Sequence, residues 1–97
     1  MSRIFVDTWA WYALADIADA DHMRAKIVNE QLLDQGHTFV TTNFVVSETL
    51  TLIRYHLHHQ AAVRFWKTLH ILMDAELVQL ARVTEFHENA AWEIFEH

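Results

Sequence analysis

Ninety-seven residues with a net charge of −6 and no cysteine bound what this chain is able to be. The length allows one domain at most, and the missing cysteine excludes disulfides, thiolate metal sites and cysteine nucleophiles. Thirteen acidic against seven basic residues leave no basic footprint for unaided nucleic-acid binding, so an RNA ligand needs a metal or a basic partner to offset the field.

Hydrophobic residues make up 53% of the chain, and one Gly with no Pro favours long helices with short connections. Arg3-Ile4-Phe5-Val6-Asp7 reads as a first strand buried on both faces and closed by an acid. Thr8 to Ala15 reads as a short helix and Asp16 to Asp21 as a turn. Asp21 is expected to cap a second helix through Gln35, with Met23, Ile27, Val28 and Leu32 as its apolar stripe and Gly36 as its stop. Thr38 to Thr42, β-branched and aromatic, is the second strand. Asn43 is expected to cap a third helix from Phe44 to Leu57. His58 and His59 mark a turn before a fourth helix, Gln60 to Met73, with Val63, Trp66, Leu69 and Met73 facing inward. Glu76 to Ala81 is a third strand, and Glu85 onward a fifth helix. The order β-α-α-β-α-α-β-α predicts an α/β domain with a parallel sheet and right-handed crossovers.

Glu93, Glu96 and the terminal carboxylate crowd the negative end of the last helix dipole, so the chain is expected to stop inside an element. No run approaches the roughly 18 apolar residues of a membrane span. Asp7 interrupts the one N-terminal run that resembles a signal peptide. A soluble, cytoplasmic protein without membrane attachment is expected.

Ligands of open parallel sheets bind beyond the carboxyl ends of the strands. Asp7 closes the first strand there, and Glu48 lies roughly 7 Å up the third helix, at about 1.5 Å per residue. Val46, Leu50, Ile53 and Leu57 form a core stripe on that helix. Glu48 points almost opposite, among Phe44, Val45, Leu52 and Tyr55. A carboxylate in such surroundings needs a partner, a proton or a metal; the alternative is a half-exposed Glu satisfied by water or Arg54. Asp7 alone reads equally well as a cap for the next helix. Together, two neighbouring carboxylates resist ionising unless a cation sits between them. Mg²⁺ suits them, because it takes carboxylate oxygens and keeps several waters. Such an ion can activate water and neutralise charge building on a phosphate.

The segments Ile4-Phe5-Val6-Asp7-Thr8 and Ala10-Trp11-Tyr12-Ala13-Leu14 resemble the opening of PIN domains, especially the VapC-type toxins of bacterial toxin–antitoxin pairs. Val40-Thr41-Thr42-Asn43-Phe44-Val45-Val46-Ser47-Glu48-Thr49-Leu50-Thr51-Leu52 is similar to the family's second strand and acidic helix. Ala61-Ala62-Val63-Arg64-Phe65 and Ala91-Trp92-Glu93-Ile94-Phe95 resemble its later helices, so the likeness covers essentially the whole chain. It implies a three-layer α/β/α fold around a short parallel sheet. It also implies Mg²⁺ or Mn²⁺ held by a cluster of acids, with Asp7 matching the first and Glu48 the second, as metal ligands and catalytic residues.

The activity implied is hydrolysis of RNA phosphodiesters, with a cognate antitoxin as partner. The family's further acids follow the fifth helix in a segment containing Phe-Thr-Asp, and this sequence ends at His97. Residues 1–97 are therefore expected to form a single PIN-like domain without its C-terminal strand and helix. The alternative is a catalytically inactive fragment that serves oligomerisation or antitoxin binding. Apolar surface and strand groups left open by the missing elements favour a homo-oligomer. Trp9 stands beside the site where relatives carry a small or polar residue.

Other signals are weaker. His56, His58 and His59 read as a surface turn rather than a zinc or nickel site. His87-Glu88 begins a zinc-protease pattern, but Ala91 occupies the position of the second histidine. Neither Ser2 nor Ser47 has the glycine-flanked elbow of a serine nucleophile, and one glycine excludes a P-loop and a dinucleotide fingerprint. Trp9, Trp11 and Tyr12 read as core packing rather than a base-stacking surface.

Overall fold

The computed structural model describes residues 2–83, in the order β1 Arg3–Phe5, α1 Thr8–Ala15, α2 His22–Asp34, β2 Thr38–Thr42, α3 Asn43–His56, α4 His59–Asp74 and β3 Val78–Ala81. The fifth helix expected from Glu85 lies outside the described residues. The expected bounds of α1 and β2 hold. β1 is shorter than its apolar run, although the Val6 N–H still donates to the Val40 carbonyl at 2.9 Å.

Two connections share one geometry. At the end of α2, Gly36 N–H donates to the Leu33 carbonyl and His37 N–H to the Leu32 carbonyl, both at 3.0 Å. Gly36 has φ 86°. This is the left-handed Schellman closure that the lone glycine announces. At the end of α4, Glu76 and Leu77 N–H donate in the same way to the Met73 and Leu72 carbonyls, but the left-handed position is Glu76, φ 62°. Glu76 therefore belongs to the helix closure rather than to β3. A sequence without glycine there carries no signal of the turn.

The sheet is parallel in the order β1-β2-β3, the α/β class expected. Both crossovers step in the same direction, and right-handed crossovers of that kind put their helices on one face. Ile4, Phe39, Val78 and Leu80 face that layer. There they meet Trp11 from α1, Leu33 from α2, Val46 from α3 and Leu69 from α4 in one core. A second cluster joins Tyr12, Ile53, Ala61 and Ala62 where α1, α3 and α4 meet. Ile53 is fully buried, a burial that contributes about 1.5–3 kcal/mol. Phe5 and Val40 are paired in register on the opposite face, and Phe5 is exposed.

Two expected stripes are rotated. On α2, Met23, Ile27 and Val28 are exposed, while His22, Ala25, Asn29, Leu32 and Leu33 are half-buried. The start of the helix is pinned by its first side chain, since His22 Nδ1 lies 2.7 Å from the Ala13 carbonyl. Asp21 occupies the cap position without making a side-chain cap bond. On α4, Phe65 instead of Trp66 turns inward, its ring edge-on to Trp11 at 5.9 Å. Trp66 is exposed and packs on His70.

Candidate functional site

The carboxyl ends of the three parallel strands form one rim. β1 pairs with β2 at a constant offset, Arg3 with Thr38 through Phe5 with Val40. The helices that follow keep the same offset, starting at Thr8 and Asn43. Asp7 and Thr42 are therefore equivalent residues, and each caps its helix. An Asp7 carboxylate oxygen accepts from Thr8 N–H at 2.7 Å, and Thr42 Oγ1 accepts from Val45 N–H at 3.1 Å. Thr42 takes the role expected of Asn43, because the backbone turns into the helix one residue earlier. The freed Asn43 amide ties the exit of β3 to the start of α3. Its Oδ1 accepts from Val83 N–H at 2.6 Å and its Nδ2 donates to the Val83 carbonyl at 3.3 Å.

A buried chain of hydrogen bonds holds Asp7 in place from behind. Trp11 Nε1 donates to Thr41 Oγ1 at 3.2 Å, and Thr41 Oγ1 donates to the Val6 carbonyl at 3.3 Å. Three elements are thus pinned at the residue before Asp7. The Asp7 side chain is exposed, with one oxygen committed to the cap. Thr8 beside it is buried, and its Oγ1 has no hydrogen-bond partner among the described residues.

Glu48 lies on the second turn of α3, which packs against α1, and its side chain is exposed. The apolar surroundings expected for it do not exist. Phe44, Ser47, Glu48, Thr51, Arg54 and Tyr55 form one exposed stripe, while Val45, Val46, Thr49 and Ile53 face the core. A solvated carboxylate carries no burial penalty that demands a cation, so the case for a metal rests on position and donor chemistry alone. Exposed carboxylates are the donor type of a hard divalent ion, which binds through one or two of them and otherwise keeps water. Among the described residues no three potential ligands converge on a common point.

The histidines expected in a surface turn have structural uses. His58 Nδ1 accepts from Ala61 N–H at 3.1 Å and caps α4. His56 sets its ring edge-on to those of Tyr12 and Tyr55. Tyr12 donates to Asp16 Oδ2 at 2.8 Å. Burial first, then the hydrogen bond and the negative charges of Asp16 and Asp19, push its hydroxyl above the ordinary tyrosine value. An apolar groove of about 480 Å³ opens between α1, α2, α4 and the sheet, lined by Trp11, Leu14, Leu33, Phe39, Phe65 and Leu72 among others. It includes neither Asp7 nor Glu48.

The sequence reading places Trp9 beside the site but in the core, and it misses the place of Phe44 and Arg82 on the rim. Trp11 and Tyr12 are in the core as expected, but Trp9 is 69% exposed. Phe44, its equivalent on α3 by the shared offset, is 52% exposed. Arg82 follows the end of β3, also exposed. The signal that finds them is the strand register, which sequence does not supply.

No family model matches the chain. It is 34% identical over 90 residues to the 23S rRNA-specific endonuclease VapC20 of Mycobacterium tuberculosis, in two strains, an alignment covering 93% of this chain and 63% of the relative. The crystal structure of Mycobacterium tuberculosis VapC20, a sarcin-ricin loop cleaving toxin, matches with a TM-score of 0.72 at 32% identity. That match covers 97% of this chain and 67% of that one. The chain thus spans about 63% of the length of the curated relatives it matches.

Proposed function

The chain belongs to the VapC-type family of PIN domains, and from that premise we propose that its domain is a metal-dependent endoribonuclease, the toxin of a toxin–antitoxin pair. The observation that carries this reading is the pair of exposed acids, Asp7 at the cap of α1 and Glu48 on α3, two helices that leave neighbouring parallel strands at one rim. The relatives named for cleaving 23S rRNA and its sarcin-ricin loop support RNA as the substrate.

Asp7 and Glu48 would hold Mg²⁺ or Mn²⁺, which supplies Lewis-acid stabilisation of charge on a phosphodiester when bound. The chain's own residues orient that chemistry. The α1 cap bond fixes the Asp7 carboxylate, the Trp11–Thr41–Val6 chain fixes the backbone behind it, and Arg82 presents a cation just after β3. The half-buried Leu14, Leu33, Phe65 and Leu72 at the groove between α1, α2 and α4 support a protein partner, the cognate antitoxin. The exposed Phe5 on the far face of the sheet supports a homo-oligomer. A strictly monomeric mass by light scattering at high concentration counts against that. No described helix is long and apolar enough to cross a membrane, which fits work on cytoplasmic RNA.

Calorimetric titration of the chain with Mn²⁺ tests the reading. Saturable heat that is lost in Asp7→Ala and in Glu48→Ala is expected, together with loss of RNA cleavage in both. A second reading, an inactive binding module, draws on the lack of a three-ligand cluster among the described residues. Absence of heat in the parent chain favours it. Cleavage that survives Asp7→Ala sinks the nuclease assignment.

A further inference from the structure

We propose that Trp9 and Phe44 form a stacking platform for an unpaired RNA base at the acidic rim, with Arg82 taking a neighbouring phosphate. The inference rests on the nuclease reading of that rim and adds how substrate is held there.

Trp9 and Phe44 are the second residues of α1 and α3. They are related by the register that makes Asp7 and Thr42 equivalent, at the starts of helices that leave neighbouring strands. Their helix neighbours Trp11 and Val46 are buried, whereas both rings face water, Trp9 at 69% and Phe44 at 52% exposure. Core packing among the described residues therefore does not account for them. Aromatic side chains left in solvent beside a site for a charged polymer offer what every nucleobase accepts, a flat π surface.

Charge makes the same point. With a net charge of −6, the molecule repels phosphate at long range and has few cations to neutralise it. Attraction must come from contacts that do not need positive charge, and stacking is such a contact. Arg82, just after the third strand in the order β1-β2-β3, is the cation the described rim adds. The row then runs aromatic, aromatic, cation from β1 to β3. A duplex hides its bases in its own stack, so the ligand class is single-stranded or looped RNA.

The test measures binding of a fluorescein-labelled oligoadenylate of about ten nucleotides by anisotropy, in EDTA to prevent turnover; single-strand sites span roughly 4–16 nucleotides. Two competitors are an abasic strand of equal length and the same strand paired to oligouridylate. Parent protein is expected to prefer the single strand with bases over both. Trp9→Ala and Phe44→Ala should each weaken it by about fivefold to a hundredfold, the usual cost of one stacked base, and erase the preference over the abasic strand. Trp9→Phe should keep most of the affinity. Arg82→Ala should lower the salt slope by about 0.7, the value for one phosphate on a single strand. Because both rings are exposed, thermal melts of the variants should coincide with the parent and exclude misfolding.

A parent that does not bind, or that binds the abasic strand equally well, overturns the proposal. So does Trp9→Ala with unchanged affinity, even when Asp7→Ala abolishes Mn²⁺-dependent cleavage of the same strand and the nuclease reading survives. Conversely, base-dependent binding lost in Trp9→Ala, without Asp7-dependent cleavage, supports the platform while the nuclease reading fails. Aromatic residues that respond to a protein partner and not to RNA bases also overturn it.

Discussion

Replacing Thr41 with valine changes one atom type at the centre of the site's support, with almost no change of shape. Thr41 is completely buried and Trp11 is 4% exposed, so no water is at hand to replace the lost hydroxyl. The substitution leaves the Trp11 indole N–H without its acceptor at 3.2 Å and the Val6 carbonyl without one donor at 3.3 Å. An unsatisfied buried donor costs about 1–3 kcal/mol. Burying a methyl in place of the hydroxyl recovers about 0.8 kcal/mol at most. The balance is a destabilisation of about 0.2–2.2 kcal/mol, with Tm falling by roughly 4–8 °C for each kcal/mol in a domain of this size. Urea denaturation of Thr41→Val, Trp11→Phe and the double variant isolates the bond. Once the donor is gone, losing the acceptor should cost less, giving a coupling of about 1 kcal/mol. If Thr41→Val is stabilising, or the single changes add within about 0.5 kcal/mol, the buried chain does not hold the rim as argued.

Glu76→Gly should stabilise the protein by about 0.5–1 kcal/mol, because a side chain in the left-handed region costs about 1–2 kcal/mol and glycine returns part of that gain as unfolded-chain entropy. A lower urea midpoint for this variant contradicts the α4 closure. Tyr12 is a pH probe. Its folded value lies above the ordinary 10.0, so the stabilisation from its neutral, hydrogen-bonded form is fully present below that pH and is lost as pH climbs through the folded value. Ultraviolet titration should show its phenolate appearing later than in the unfolded chain, and Tyr12→Phe should flatten the alkaline loss of stability. A Tyr12 signal no later than in the unfolded chain refutes the arrangement with Asp16.

Errors of the sequence reading have a common form. Met23, Ile27 and Val28 make a plausible apolar stripe, yet α2 turns Ala25, Leu32 and Leu33 toward the protein instead. Trp66 and Phe65 are adjacent, and a rotation of one residue decides which enters the core. Glu48 looked enclosed by Phe44 and Tyr55, but those two share its solvent stripe. The candidate acids themselves come from strand-end logic and from family resemblance. Both are legible without coordinates, while the environment of Glu48 is not.

What the amino-acid order determined alone is the local architecture: strand and helix periodicity, the stop at Gly36, the acid at the end of β1 and the parallel α/β class. These follow from interactions within a few residues, or from a hydrophobic period that any packing must respect. Only tertiary structure decided the rotation of α2 and α4, the solvent around Glu48, the cap at Thr42 in place of Asn43, the glycine-free closure at Glu76 and the exposure of Trp9. Each residue along a helix turns a side chain by about 100°. A small shift in docking against the sheet therefore exchanges core for solvent, and that docking is set by partners on other elements of the chain.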